Sequence, residues 1–115
     1  MPRSKASLEG IRIQELLNRY LLRGWQRRLR MIKFLLDNNG RVEWDKFRDE
    51  CIKHWGKISY TIIANQLYKD GLLIPEWNEK EFWNYVKIPE ELLPIIKNEM
   101  EKRRLEIEKI LEGDV

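Results

Sequence analysis

Apolar residues recur at helical intervals through most of the chain and give way to short alternating runs in a few places. Leu8, Ile11, Leu17, Tyr20 and Leu21 form one helical set, and Trp25, Leu29, Ile32, Leu35 and Leu36 form another. Gly24 lies between them, so the pattern predicts two helices or one helix weakened at that glycine. Asn38-Asn39-Gly40 is a stop and turn signal, after which Arg41-Val42-Glu43-Trp44 alternates as a short strand. Asp45 is placed to cap a helix from 46 to 55, ended by Gly56, with Phe47, Cys51 and either Ile52 or Trp55 facing inward. Ser59 is placed to cap the next helix, which runs to Asp70 and closes at Gly71.

The run LLIPEW and the run FWNYVKI, separated by the polar Asn78-Glu79-Lys80-Glu81, predict a hairpin. Pro75 makes its first strand an edge, because proline donates no ladder hydrogen bond. The remainder, from Pro89 to Gly113, reads as one long charged helix opened by Glu90 and Glu91, which suit the positive end of a helix dipole. Pro94 offers a second possible start. The fold class expected is mainly α with a small β-hairpin.

Composition narrows the function classes. A chain of 115 residues with 43% hydrophobic and 36% charged residues suits one core under a highly charged surface. Its Lys, Arg and Glu richness, beside one Thr and three Ser, matches the tendency of heat-adapted proteins. Cys51 is the single cysteine and His54 the single histidine, which excludes a disulfide within the chain and any multi-histidine metal site. A reducing cytoplasmic setting, without membrane insertion, is expected from this and from the lack of a long apolar run. Cys51 and His54 sit three residues apart but have no evident orienting third group. Phosphate-cradling glycine loops are also absent from the sequence, so neither an enzyme nor a cofactor is expected.

Charge is distributed unevenly. Residues 1 to 33 hold nine Lys or Arg against two Glu, a net of +7, whereas the remainder carries −4. In a continuous helix, Arg12, Arg19, Arg23, Arg27 and Arg30 would share one stripe suited to a polyanion. A break at Gly24 would destroy that alignment, and pairing with acids of the last helix is the competing use. Arg3 and Lys5, on the N-terminal arm, are further basic candidates for a minor groove. The five tryptophans, Trp25, Trp44, Trp55, Trp77 and Trp83, are better suited by position to core or cross-strand packing than to base stacking.

The element order over residues 25 to 112 resembles the winged helix-turn-helix family. The resemblance is carried by the RVEW strand, the helix pair DKFRDECIKHW and SYTIIANQLYKD, and Leu67 followed after three residues by Gly71-Leu72-Leu73. It implies an N-terminal arm and extra helix over 1–24, a winged core over 25–88 and a long C-terminal helix over 89–115. It also implies that the helix from Ser59 is a recognition helix for the major groove of double-stranded DNA, as in a transcriptional regulator. With Leu67 inward, Tyr60, Ile63 and Ala64 share its side. Ser59, Thr61, Ile62, Asn65, Gln66 and Lys69 then point outward as candidates for base edges, with a merely solvated face as the alternative. The wing tip is net negative and unlike a phosphate ligand, which keeps a protein partner through the wing, and hence an adaptor role, as the rival reading. On the last helix Leu93, Ile96, Met100, Ile107 and Ile110 follow heptad spacing, interrupted by Arg103. Helices of this kind commonly serve dimer contacts in the family, so a homodimer is implied; packing against the N-terminal helix is the alternative.

Overall fold

The computed structural model describes residues 5–57, 59–77 and 83–113, with side chains from residue 8 onward except that of Trp83. The wing tip and the arm residue Arg3 lie outside these ranges, as does the side chain of Lys5. Six helices and three strands follow one another in the described chain: α1 Lys5–Tyr20, α2 Gln26–Asp37, β1 Arg41–Glu43, α3 Trp44–Trp55, α4 Ser59–Lys69, β2 Ile74–Trp77, β3 Trp83–Lys87, α5 Leu93–Lys102 and α6 Arg104–Gly113. The protein is thus mainly helical with a small antiparallel sheet.

The N-terminal periodicity resolves into two helices. Gly24 has a φ of +94°, a left-handed conformation that glycine adopts at no steric cost and that ends any continuous helical stripe. Buried Ile13, Leu17 and Tyr20 set the inner face of α1, with Tyr20 stacked on Trp25 at a centroid distance of 6.5 Å. Leu8, expected inside, is exposed, and Ile13, outside the predicted set, takes a core position.

The sheet order is β1-β3-β2, with β3 antiparallel to both neighbours. Val42 and Val86 are register partners and both are buried, so this side of the sheet packs on the helices. β2 is an edge strand, as Pro75 requires, and Trp77 and Trp83 are paired in register. On the exposed side, Arg41 reaches across β3 to Glu76, with Nη2–Oε2 at 2.8 Å, while its guanidinium lies 3.6 Å from the Tyr85 ring centroid. The hydrogen bonds from Arg41 hold the Glu76 carboxyl below the usual carboxylate range.

Three local expectations are corrected. Trp44 opens α3 rather than closing the strand, stacking on Phe47 at 5.7 Å and meeting Tyr60 edge-on at 5.8 Å. Glu43, not Asp45, occupies the cap position of α3; Asp45 lies in the first turn, where its carboxylate faces the dipole and pairs with Arg48 at 3.3 Å. The long C-terminal helix is two helices, divided at Arg103, with Pro94 in the first turn of α5. Proline is tolerated there because that amide has no intrahelical acceptor.

Phe47, Cys51, Ile63, Ala64, Leu67, Leu72 and Leu73 form the centre of the core with α2 residues Leu29, Ile32 and Leu35. Gly71, with φ +76°, turns the chain from α4 into β2. A Cβ at this glycine would stand 3.3 Å from Arg12 Nη1, so the position is constrained twice. Gly71→Ala is expected to lower stability by about 1–2 kcal/mol, since it forces an alanine into the left-handed region. An unchanged denaturant midpoint in the variant would contradict this account of the turn.

Candidate nucleic-acid interface

The outward face of α4 is built by what holds its inner face. Ile63, Ala64 and Leu67 are buried, and Tyr60 packs on Trp44, which rotates Thr61, Asn65, Tyr68 and Lys69 outward. Ile62 is 51% exposed and Tyr68 is 53% exposed, whereas Gln66 is half-buried at the edge. The face therefore offers two hydroxyls, from Thr61 and Tyr68, two carboxamides, one ammonium and the apolar bodies of Ile62 and Tyr68. Tyr68 is an addition to the outward residues that the spacing predicts, although it stands three residues after Asn65 and seven after Thr61 on the same face.

Ser59 does not belong to this face. It is 6% exposed, and its hydroxyl donates to the carbonyl oxygens of Gly56 at 2.7 Å and Cys51 at 3.3 Å. Those bonds tie the end of α3 to the start of α4 and leave the hydroxyl unavailable to base edges.

The predicted arginine stripe divides into two groups. Arg12 is bound internally: its guanidinium pairs with Glu9 at 2.9 Å and donates to the Asp70 carbonyl at 2.8 Å. Arg30 donates from Nη2 to the Leu111 carbonyl at 2.9 Å, anchoring α2 to α6. Arg19, Arg23 and Arg27 remain exposed, with Arg19 lying 5.7 Å from the Trp25 ring and Arg27 lying 5.5 Å from the Trp55 ring. Their disposition follows from the turn at 21–25, which interrupts the helix on which a single stripe would depend. Arg12 also works with Tyr20, whose hydroxyl donates to Asp70 Oδ2 at 2.5 Å. Burial, followed by this bond to Asp70, raises the Tyr20 phenol above its ordinary range and keeps it a neutral donor. Together these two bonds fix α1 against the end of α4.

Arg27 and the neighbouring Arg28 line a cavity of about 270 Å³ together with Gly24, Ser59, Ile62 and Gln66. The start of α2 thus stands beside the edge of the outward α4 face. Arg28 is not part of the predicted stripe. Its sequence signal is its spacing to Met31, Ile32 and Leu35, which places a cation on the apolar side of α2.

The proposed dimer seam is consumed internally. Ile96, Met100 and Ile107 are buried in the chain's own core, and Leu93 and Ile110 pack partly against it. Arg103, the interruption in that seam, donates to Asn18 Oδ1 at 2.9 Å and to Glu99 Oε1 at 3.1 Å. The heptad stripe therefore closes on α1 and α2 rather than remaining available to a second copy.

Cys51 is fully buried and its thiol is pushed up to about 12 by burial, with the nearby Glu50 adding to the shift. His54 Nε2 is 3.0 Å from Glu50 Oε1, so its polar partner is the carboxylate one turn back. Among the described residues, no group of three or more His, Cys, Asp or Glu is arranged to hold a metal, and no helix is long and apolar enough to cross a membrane. No protein-family model, curated protein or solved structure matches the chain.

Proposed function

We propose that this protein is a winged helix-turn-helix DNA-binding protein of the transcriptional-regulator kind, acting in the cytoplasm. In this reading α4 enters the major groove and exposed arginines near the start of α2 meet backbone phosphate. The element order from α2 to β3 and the central position of β3 in the sheet support the fold assignment. The observation that carries the functional reading is the juxtaposition of Arg27 with Ile62 and Gln66 across one cavity. A groove reader needs such a division of labour, because phosphate contacts set affinity and register while base edges set specificity.

Thr61, Asn65, Gln66 and Lys69 are the base-edge candidates in this reading, with Ile62 suited to a thymine methyl. Arg19, Arg23 and Arg27 supply phosphate contacts. The rival adaptor reading is favoured by exposed Tyr68 and Trp77, which would suit a protein surface.

Fluorescence anisotropy of a labelled mixed-sequence duplex across a salt series distinguishes the two. Binding to the wild type is expected to weaken steeply with salt. Arg23→Ala with Arg27→Ala should reduce the magnitude of the log–log salt slope by about 2, roughly one for each phosphate that is no longer neutralised. Failure of the wild type to bind duplex at low salt would reject the DNA reading.

A further inference from the structure

We propose that Tyr20 and Asp70 are positioning residues for the α4 face, holding it at a fixed spacing from the exposed arginines around the turn between α1 and α2. Their part in duplex recognition rests on the DNA-binding reading above. The clasp they form does not, since it is defined within the chain.

Asp70 is the first residue beyond α4, next to the outward-facing Tyr68 and Lys69. The amides of Gly71 and Leu72 close that end of the helix by donating to the carbonyls of Tyr68 and Leu67, each at 3.0 Å. α1 then takes hold of the closed end twice: Arg12 Nη1 donates to the Asp70 carbonyl at 2.8 Å, and the Tyr20 hydroxyl donates to the Asp70 carboxylate. At its other end α4 is tied to α3 through Ser59. The burial of Ile63, Ala64 and Leu67 is non-directional, whereas hydrogen bonds at both ends, each with a required geometry, define where the helix axis lies and how it is rolled.

Tyr20 also meets the arginines. It is the buried last residue of α1, its ring stacks on Trp25, and the Arg19 guanidinium lies 5.7 Å from the centroid of that same Trp25 ring. The chain between them is turned by bonds from the Leu22 amide to the Arg19 carbonyl and from the Trp25 amide to the Leu22 carbonyl, each at 3.0 Å, so Arg23 is carried on the same turn. One side chain thus holds the end of α4 with its hydroxyl and the arginine-bearing turn with its ring. A groove reader must satisfy phosphates and base edges together. Slack between the two sets would be removed only at an ordering cost on binding, and base edges are the contacts on which discrimination depends.

Tyr20→Phe tests this in the full chain, because it keeps the ring and removes only the hydroxyl. Amide hydrogen exchange at Gly71 and Leu72 should become about tenfold faster, the scale of one lost hydrogen bond to a carboxylate, while Gly56, whose amide closes the end of α3 on the Ile52 carbonyl, should not change. The second readout is the ratio of affinities for a selected duplex and a scrambled one, which should fall about tenfold at an unchanged salt slope. A purely structural role would lower both affinities alike and leave the ratio where it was. Asp70→Ala should reproduce both effects, with the double variant adding nothing further, as for two sides of one bond; it also carries the test if Tyr20→Phe does not fold. Faster exchange at Gly71 and Leu72 in a protein whose wild type binds no duplex would retain the clasp and reject the DNA reading. Exchange at Gly71 that changes no more than at Gly56, a ratio unmoved in both variants, or a wild type that binds all duplexes alike would overturn the assignment.

Discussion

Alanine at both Asn65 and Gln66 is expected to remove discrimination among duplex sequences while leaving salt-dependent attraction in place. A carboxamide that bonds adenine at both N6 and N7 contributes about 1–3 kcal/mol against the wrong base. Neither side chain carries charge, so their removal should not alter the number of phosphates neutralised or the slope against salt. The two positions are adjacent on one helix, and their effects need not add. Asn65 is exposed on the outer face, where replacement away from special contacts usually changes stability by less than about 0.5 kcal/mol. The measurement is competition between a selected preferred duplex and scrambled duplexes, alongside thermal melting of each variant. Retained preference in the double variant would remove Asn65 and Gln66 from base reading even if the protein still bound DNA.

Arg103→Met is expected to destabilise the fold by about 3 kcal/mol at neutral pH, the lower end for removing one partner of a buried ion pair. The lower end applies because Lys102 still reaches Glu99 at 3.0 Å. Glu99 is 4% exposed, and burial alone would raise its carboxyl; hydrogen bonds from Lys102 and Arg103 outweigh burial and hold it below the usual carboxylate range. A carboxyl depressed in the folded state contributes stability that is complete above its unfolded value and is lost as pH falls through the folded one. The deficit of the variant should therefore be largest at neutral pH and shrink toward about pH 3, where the unfolded carboxyl is protonated. Urea denaturation of both proteins across this range checks the sign. A deficit that stays constant on acidification would assign the cost to poorer packing and to the Asn18 hydrogen bond instead of to the Glu99 charge.

The parts legible in the sequence are those governed by local chemistry. Leu67 and Gly71-Leu72-Leu73 mark the end of α4 and the reversal into a strand, because an inward leucine and a left-handed glycine act within one turn of chain. Periodicity alone places Phe47, Cys51, Ile63 and Ala64 inside. Caps are less legible. Asp45 and Ser59 have the right chemistry for an N-cap, but Glu43 holds the cap position of α3, and the Ser59 hydroxyl donates to the carbonyls of Cys51 and Gly56.

The candidate site is legible on α4 and obscured at its flank. Thr61, Ile62, Asn65 and Lys69 face outward as the spacing requires, whereas a stripe of five arginines presupposes an unbroken helix. Arg28 and Glu99 show the complementary failure. Each stands on the apolar side of its helix, where a charged residue reads as an exception to the pattern until the surrounding structure is known.

Taken by itself, the sequence determined the kinds of element, their order and most of the inward residues, since these follow from side-chain periods and turn chemistry over a few residues. Tertiary structure alone decided which cations were engaged and what each apolar stripe covered. Arg12 meets Asp70 across 58 positions, Arg30 meets Leu111 across 81, and Arg103 meets Asn18 across 85. A period shows that a helix face is to be buried; only the packing of distant segments identifies the partner, and with it the charges left available for another molecule.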